Sequence, residues 1–186
     1  CLANRRARCG KRPEPVGHRP PVTNPYSGLQ GAALESAPAM KYEQKPNAFT
    51  IPVRIYYEDT DAGGVVYYAN YLKFFERCRT EWLRAIGHQQ AELLRDPGIA
   101  FVVRGVAIEF LKPARLDDQL VVGREVEKIS RAQLHFRQHI RRADAHVDGG
   151  WQELVSGSIH IVCVNSKLMK ATSIPAFLRT KLEALQ

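Results

Sequence analysis

The sequence is short of cysteine and of long apolar runs, and each shortage excludes a class of protein. Its 186 residues contain four cysteines, Cys1, Cys9, Cys78 and Cys163, with no Cys-x-x-Cys pair among them. A disulfide framework and a zinc knuckle are therefore not expected. A reducing, cytoplasmic compartment fits best, with peripheral attachment to the inner membrane left open. No apolar run approaches the roughly 18 to 20 residues that a membrane-spanning helix needs.

The net charge of +8 is spread unevenly along the chain. Residues 1–39 carry six basic and two acidic side chains, a balance of +4, which leaves +4 for residues 40–186. This main body is only mildly basic, and it has no zinc-finger spacing, leucine heptad or RNA-binding aromatic motif. Nucleic-acid binding is therefore not expected, whereas a few cations placed for a phosphorylated small ligand are compatible with this charge.

The first 48 residues differ in composition from the rest of the chain. Prolines recur at positions 13, 15, 20, 21 and 25, among glycine, serine and arginine and without apolar periodicity. Such a segment cannot bury enough apolar surface to offset the entropy lost on ordering. We predict a disordered or non-native extension over residues 1–48, with Met40 as a natural start, and one folded domain over residues 49–186.

Hydrophobic periodicity after this point predicts an α+β fold. A first strand is expected around residues 53–57, followed by a long helix from about Tyr71 to Gly87 and a short helix over residues 88–96. Four further strands are predicted around residues 100–111, 120–126, 134–140 and 151–164, and a last helix begins at Pro175. These elements predict one long helix packed against a five-stranded antiparallel sheet.

Alternation along two of these strands predicts which residues share a face. In the second strand, one face is expected to carry Val102, Val106, Ile108 and Phe110. In the fourth, Leu134, Phe136 and Ile140 face one way and His135, Arg137 and His139 the other. The two histidines resemble a metal pair, but no third ligand is evident, so exposed side chains are expected and no metal site is predicted.

The stretch Glu58–Gly64, EDTDAGG, places three carboxylates and two glycines between a strand and a helix. An EF-hand calcium loop is excluded because Gly63 and Asn70 stand where an oxygen ligand and the bidentate glutamate belong. An aspartyl-phosphate nucleophile of the haloacid-dehalogenase-like type is excluded as well. That pattern requires Thr or Val where Gly63 stands, and it requires a parallel sheet. Carboxylates beside the apolar Val-Val-Tyr-Tyr run indicate a reaction site instead.

Three strings carry a family resemblance: PVRIYYEDTDAGGVVYYANYLKFFERCRTEWLR, FVVRGVAIEFLKPARLDD and VCVNSKLMKATSIP, together covering about residues 51–175. They resemble the hotdog-fold acyl-CoA thioesterases, in particular the YbgC-type, Tol–Pal-associated group of the 4-hydroxybenzoyl-CoA thioesterase family. The resemblance implies a long central helix wrapped by the sheet. It also implies a homodimer or homotetramer whose active site lies at a subunit interface, and hydrolysis of acyl-CoA to acid and CoA.

The resemblance also implies roles for individual residues. Asp61, which ends the D-x-D motif, would be catalytic, either as a nucleophile or as a base that activates water. The backbone amide of Tyr68 would polarise the thioester carbonyl, because a helix N-terminus offers unpaired amides and positive potential. Substrate contacts are expected from the turn, the acyl pocket and cations for the CoA phosphates: Gly64, Val65, Val66, Tyr67, Lys112 and Arg115. No metal or other cofactor is implied.

Neighbouring polar residues are expected to have structural roles. Asp59 is expected to brace the loop through its own backbone. Glu76 and Glu81 are expected to form ion pairs with Arg77, Arg79 or Arg84. Tyr68 stands where many close relatives have His, and if its side chain shapes the acyl pocket, substrate preference would shift toward aromatic groups.

Two other functions remain open at this point. One is a hotdog acyl hydratase or dehydratase, which usually has an Asp/His pair, although no histidine closely follows the motif. The other is a non-catalytic scaffold for acyl carrier protein, an acidic partner that the mild positive charge of the main body would suit.

Overall fold

The computed structural model describes residues 48–184, which form five strands and three helices. The strands are β1 (Ala48–Arg54), β2 (Ile99–Phe110), β3 (Gln119–Ile129), β4 (Gln133–Ala143) and β5 (Trp151–Asn165). The helices are α1 (Asn70–Ala85), α2 (Gln90–Arg95) and α3 (Ala176–Glu183), and 3₁₀ turns cover Tyr57–Asp59 and Asp148–Gly150. No helix in this part of the chain is long and apolar enough to cross a membrane.

The order of elements agrees with the sequence prediction, with one shift at the start. The first strand ends at Arg54, so Ile55 and Tyr57 lie beyond it, in the connection to α1. The predicted extension over residues 1–48 lies, apart from Ala48, outside the described residues and stays a prediction.

All five strands join one antiparallel sheet in the order β1-β3-β4-β5-β2. β1 and β2 therefore occupy the two edges. Helix α1 packs against the sheet and contacts β1 and β3. The predicted α+β arrangement is confirmed.

A β-bulge in β2 changes which of its residues share a face. The register between β2 and β5 shifts between Val103 and Gly105. Before the shift Val102 pairs with Val162, and after it Val106 pairs with Ile159, which lies on the opposite face of β5. The prediction that Val102 and Val106 lie on one face is therefore wrong, because an extra residue in one strand reverses the alternation beyond it.

Helix α1 is held on the sheet by its apolar side. Its buried residues recur at intervals of three and four: Tyr71, Phe74, Phe75, Cys78, Trp82 and Leu83. Phe75 approaches β5 so closely that a Cβ at Gly157 would lie 3.0 Å from Phe75 Cε2 and 3.2 Å from the Ala107 carbonyl oxygen. Burial of each such large side chain stabilises the fold by roughly 1.5–3 kcal/mol, and this packing fixes where the N-terminus of α1 lies.

Burial along β4 agrees with the predicted core face and differs from the prediction on the opposite face. Leu134, Phe136 and Ile140 are buried in the core, and Arg137 is exposed. His139 was expected to be exposed but is buried against Gly123 of the paired strand β3. Because Gly123 has no side chain, the imidazole fills the space that a Cβ would occupy.

Candidate active site

The connection from β1 to α1 forms a tight loop whose frame is built by Asp59. Asp59 is only 9% exposed, and its Oδ2 accepts a hydrogen bond from the Tyr56 amide at 3.0 Å. Its carbonyl oxygen accepts two more, from the Tyr67 amide and from Asn70 Nδ2, both at 2.9 Å. The prediction that Asp59 braces the loop is confirmed, and these bonds bring the two ends of the loop together.

Asp61 lies in the turn at the tip of this loop. Its amide donates to the Val65 carbonyl at 3.0 Å, and its own carbonyl accepts from the Gly64 amide at 3.0 Å. Gly64 has a φ of +71°, a left-handed conformation that costs other residues roughly 1–2 kcal/mol. The turn leaves the Asp61 carboxylate exposed, with Oδ1 accepting one hydrogen bond from the Gly63 amide at 2.7 Å.

The N-terminus of α1 adjoins the same loop and carries unpaired amides. The helix begins at Asn70 after an Ala69 N-cap, and the Asn70 amide donates to the Tyr67 carbonyl at 2.9 Å. The amides of Tyr68 and Ala69 have no hydrogen-bond partner within residues 48–184. Amides at this end of a helix carry the positive end of its dipole. They can therefore stabilise a developing oxyanion.

A cleft opens beside these amides. It has about 490 Å³ of empty space including its open mouth, and it is lined by Val66, Tyr68, Tyr71, Phe110, Leu111, Lys112 and Pro113. The Phe110 ring stands edge-on to Tyr68 with centroids 6.2 Å apart and lies 5.9 Å from the Tyr71 ring. Apolar walls with one exposed ammonium group suit a ligand that has an apolar part and an anionic part.

Similarity to known proteins identifies the family. The family model described as "Thioesterase superfamily" matches residues 63–148. The acyl-CoA thioesterase YbgC of Haemophilus influenzae is 43% identical over 129 residues, which cover 69% of this chain and 90% of that protein. The chain belongs to the thioesterase superfamily. The acyl-CoA thioester hydrolase YbgC of Escherichia coli O6:H1 is 42% identical over 127 residues, covering 68% of this chain and 90% of the relative. The expected kinship with the YbgC-type thioester hydrolases is confirmed.

Solved structures confirm the hotdog fold of this thioesterase. The 4-hydroxybenzoyl-CoA thioesterase of Pseudomonas sp. strain CBS-3 matches with a TM-score of 0.65 and 20% identity, covering 72% of this chain and 98% of that one. At that identity the likeness shows the fold alone. A Bartonella henselae protein named "Probable Thioesterase" matches with a TM-score of 0.63 and 32% identity, covering 69% of this chain and 99% of that one.

The cleft of this thioesterase contains three of the residues expected from sequence: Val66, Tyr68 and Lys112. Gly64 and Val65 belong to the Asp61 turn and do not line the cleft. Tyr67 is exposed beside it, with its ring centroid 4.7 Å from that of Tyr68. Arg115 is exposed three residues beyond Lys112 and lies outside the cleft lining.

The hydroxyl of Tyr67 is influenced by both parts of the site. Its hydrogen bond with the Tyr68 side chain, followed by the Tyr68 charge, burial and the Asp61 carboxylate, raises the pKa of Tyr67. Tyr67 is protonated at neutral pH.

Three residues that frame the site were not predicted from the sequence. Tyr71 was assigned to the core stripe of α1, yet its hydroxyl accepts a hydrogen bond from the Ala114 amide at 3.0 Å. Asn70 is buried and bonds to Asp59. A polar residue directly before the buried stripe of a helix was the available signal for Asn70, whereas nothing in the sequence singles out Ala114.

The acidic residues of α1 have structural partners. Glu81 forms an ion pair with Arg84, as predicted. Glu76 instead accepts a hydrogen bond from Thr80 Oγ1 at 2.6 Å. Both bonds lie within α1 and on its exposed side.

The two cysteines of the described residues do not offer an alternative reacting group. Burial raises the pKa of Cys78 to about 12 and that of Cys163 to about 11, so both thiols stay protonated and unreactive. Within residues 48–184 no group of three His, Cys, Asp or Glu side chains is placed to hold a metal ion.

Proposed function

We propose that this thioesterase hydrolyses acyl-CoA to the free acid and CoA, with Asp61 as the reacting carboxylate and the Tyr68 amide as the donor to the thioester carbonyl. The observation that carries the proposal is an unpaired Tyr68 amide at the N-terminus of α1 beside a turn that exposes Asp61. The names of the YbgC relatives support the same class of substrate.

The Tyr68 amide acts on the carbonyl oxygen of the thioester. As the carbonyl carbon is attacked, its oxygen gains negative charge, which the N–H group and the positive end of α1 stabilise. Removing one such donor from an enzyme raises the barrier by roughly 2.7–4 kcal/mol. The main-chain amide is a major part of the catalytic effect because it is fixed before the substrate binds.

Asp61 can promote thioester hydrolysis by either of two mechanisms. As a nucleophile, its oxygen forms a mixed anhydride with the acyl carbon while the C–S bond breaks, and the CoA thiolate takes a proton from water. The hydroxide left by that water then attacks the anhydride, which releases the acid and restores the carboxylate. As a base, Asp61 takes a proton from the attacking water and that proton passes to the departing thiolate. Both routes consume one water and release acid and CoA.

The cleft receives the substrate in this proposal. Its apolar wall of Val66, Tyr68 and Phe110 suits the acyl group, and the exposed Lys112 ammonium suits a phosphate of CoA. Gly64, Val65 and Tyr67 shape the turn and its rim, and Arg115 contributes positive charge outside the cleft. The presence of tyrosine at position 68 makes aromatic acyl groups part of the substrate range to be tested.

A homo-oligomer completes the site in this proposal. Asp61 is exposed in a single chain, whereas electrostatic catalysis is strongest where water is excluded. Edge strand β2 exposes Val103, Val106 and Phe110 at 50%, 44% and 49%, and Phe110 also lines the cleft. A second copy of the chain that packs along this edge would cover the exposed β2 side chains and the cleft. We propose a homodimer, with a homotetramer as the alternative.

The test is release of free thiol from short-chain, long-chain and aromatic acyl-CoAs, with an acylated carrier protein as an alternative thioester. Asp61→Asn is nearly isosteric, but the amide can neither attack the carbonyl nor accept a proton. We expect its kcat to fall by about 10³-fold or more with folding unchanged. The same panel shows which acyl group is preferred.

Glu58→Gln is the matched control, because Glu58 is another exposed carboxylate of the same loop. Its turnover is expected to stay within about twofold of wild type, as for surface changes in general. Unchanged turnover in Asp61→Asn would exclude the mechanism. Absence of thiol release by the wild-type protein on every substrate would exclude hydrolysis and favour the carrier-binding scaffold.

A further inference from the structure

The first residue of α1 holds one end of the Asp61 turn. Asn70 is buried, and its Nδ2 donates to the Asp59 carbonyl at 2.9 Å. The same carbonyl accepts the Tyr67 amide at 2.9 Å. The start of the turn is therefore fixed relative to the helix N-terminus that carries the Tyr68 amide.

The second residue of α1 holds the other end of the turn, through the connection between β2 and β3. Tyr71 Oη accepts a hydrogen bond from the Ala114 amide at 3.0 Å, and the Ala114 carbonyl accepts one from the Val66 amide at 2.9 Å. Val66 in turn pairs with Thr60 across the turn. All three linked residues, Tyr71, Ala114 and Val66, are buried, so water does not readily replace a lost bond.

We propose that Tyr71 is a positioning residue for thioester hydrolysis, whose hydroxyl acts through Ala114 and Val66 to hold the Asp61 carboxylate in line with the Tyr68 amide. The inference rests on the proposed function. The two reacting groups lie on different elements, a turn and a helix, and catalytic groups must be held within about 0.5 Å of the productive geometry. A misplacement of about 1 Å can lower the rate by about 100-fold.

The ring and the hydroxyl of Tyr71 have separable roles. The ring packs edge-on to Phe74, with centroids 6.2 Å apart, and forms part of the cleft wall beside Phe110. The hydroxyl bonds to the Ala114 amide instead. Burial, the largest cause, raises the pKa of Tyr71, so the hydroxyl stays a neutral acceptor at neutral pH. Tyr71→Phe therefore removes the hydrogen bond to the Ala114 amide and keeps the aromatic ring in the cleft wall.

The experiment compares kcat and KM for thiol release in the full-length wild-type protein and in Tyr71→Phe. We expect kcat to fall by about 10- to 100-fold, since the Val66 end of the turn is no longer tied to α1 through Ala114. KM is expected to stay within about twofold because the cleft wall is kept. Near-ultraviolet circular dichroism gives the folded fraction, by which both constants are corrected.

Tyr57→Phe is the matched control, since it removes the hydroxyl of a tyrosine that is 82% exposed in the same loop, and its kcat is expected to equal that of wild type. An unchanged kcat in Tyr71→Phe, or a fall that merely follows the folded fraction, overturns the inference. If Tyr71→Phe is largely unfolded at the assay temperature, kcat is measured at a lower temperature at which it folds, and an unchanged kcat there overturns the inference.

Asp61→Asn, assayed alongside, separates the positioning role of Tyr71 from the proposed catalytic mechanism. An inactive Asp61→Asn together with a fully active Tyr71→Phe would overturn the positioning role alone. An active Asp61→Asn would overturn the proposed mechanism on which that role rests.

Discussion

Arg124 of β3 is a cation buried in the core beside α1. It is only 2% exposed, and its Nε and Nη1 have no hydrogen-bond partner among residues 48–184. Its guanidinium lies 3.7 Å above the Trp82 ring, and burial lowers the pKa of Arg124 to about 9. A desolvated cation–π contact contributes about 2 kcal/mol, whereas removing the charge from water costs several kcal/mol.

Replacing this cation by an apolar side chain of similar length is therefore expected to stabilise the fold. For Arg124→Met we expect the free energy of unfolding, measured with urea, to rise by about 1–2 kcal/mol, because the desolvation cost is removed and a sulfur–aromatic contact to Trp82 replaces the cation–π contact. Arg124→Lys is the control, since it keeps the charge and loses the planar stacking, and it should be less stable than wild type. A less stable Arg124→Met would mean that the stacking outweighs desolvation.

How far the site was predictable depends on sequence separation. Asp61 and Tyr68 are seven residues apart, so a local pattern of a turn followed by a helix start was sufficient to expect them together. The hydrogen bond between Tyr71 and Ala114 joins residues 43 positions apart, and its partner is a backbone amide, which has no signature in the sequence. The same limit applies to Lys112 and Arg115, because only the path of the loop decides which cation adjoins the cleft.

At the scale of elements, periodicity predicted the helices and strands but not their irregularities. The spacing of buried residues was sufficient for α1 and for the core face of β4. The bulge between Val103 and Gly105 was not predictable, because an extra residue in one strand is defined only by its partner strand. His139 was misassigned for a related reason: its burial depends on Gly123, a glycine in a different strand.

The pairing of β4 with β5 places two histidines in contact and makes stability depend on pH. His135 and His160 are directly opposite, with rings stacked 4.2 Å apart at 17°, while Lys128 of β3 pairs with His135. Burial, followed by His135 and Arg104, lowers the pKa of His160 from its ordinary 6.5. The unfolded chain therefore binds the proton more readily, and stability is lost as the pH falls below about 6.5.

We accordingly expect the Tm of the wild-type protein to fall between pH 7.0 and pH 5.5, and the fall to be smaller in His160→Gln. His160→Gln removes the imidazole whose pKa is lowered in the folded protein. His146→Gln, in the exposed loop after β4, is the control and should show the wild-type slope. Equal slopes in wild type and His160→Gln would contradict the role of the stacked pair.

At the scale of the whole molecule, the sheet that residues 48–184 form ends at an edge strand, β2. Strand β2 runs for 12 residues, and within the described part of the chain its only neighbour in the order of strands is β5. A long edge with backbone donors and acceptors and exposed apolar side chains is a template for pairing with another chain. The cleft adjoins this side through Phe110, and the Asp61 turn meets the cleft at Val66, which connects assembly to activity in the proposed homo-oligomer.

Val106→Asp tests this connection, because Val106 is 44% exposed in the middle of β2 and a carboxylate there would be buried without a partner in any assembly across the edge. Light scattering is expected to give a multiple of the 21.0 kDa chain mass for wild type and the single-chain mass for the variant. Thiol release should fall as the oligomer dissociates, because the Asp61 site would then be exposed to water.

Leu168→Asp, at a side chain that is 68% exposed beyond β5, is the control and should keep both the oligomer mass and the activity of wild type. A monomeric, fully active wild type would show that one chain suffices, and an unchanged mass in Val106→Asp would move the interface away from β2.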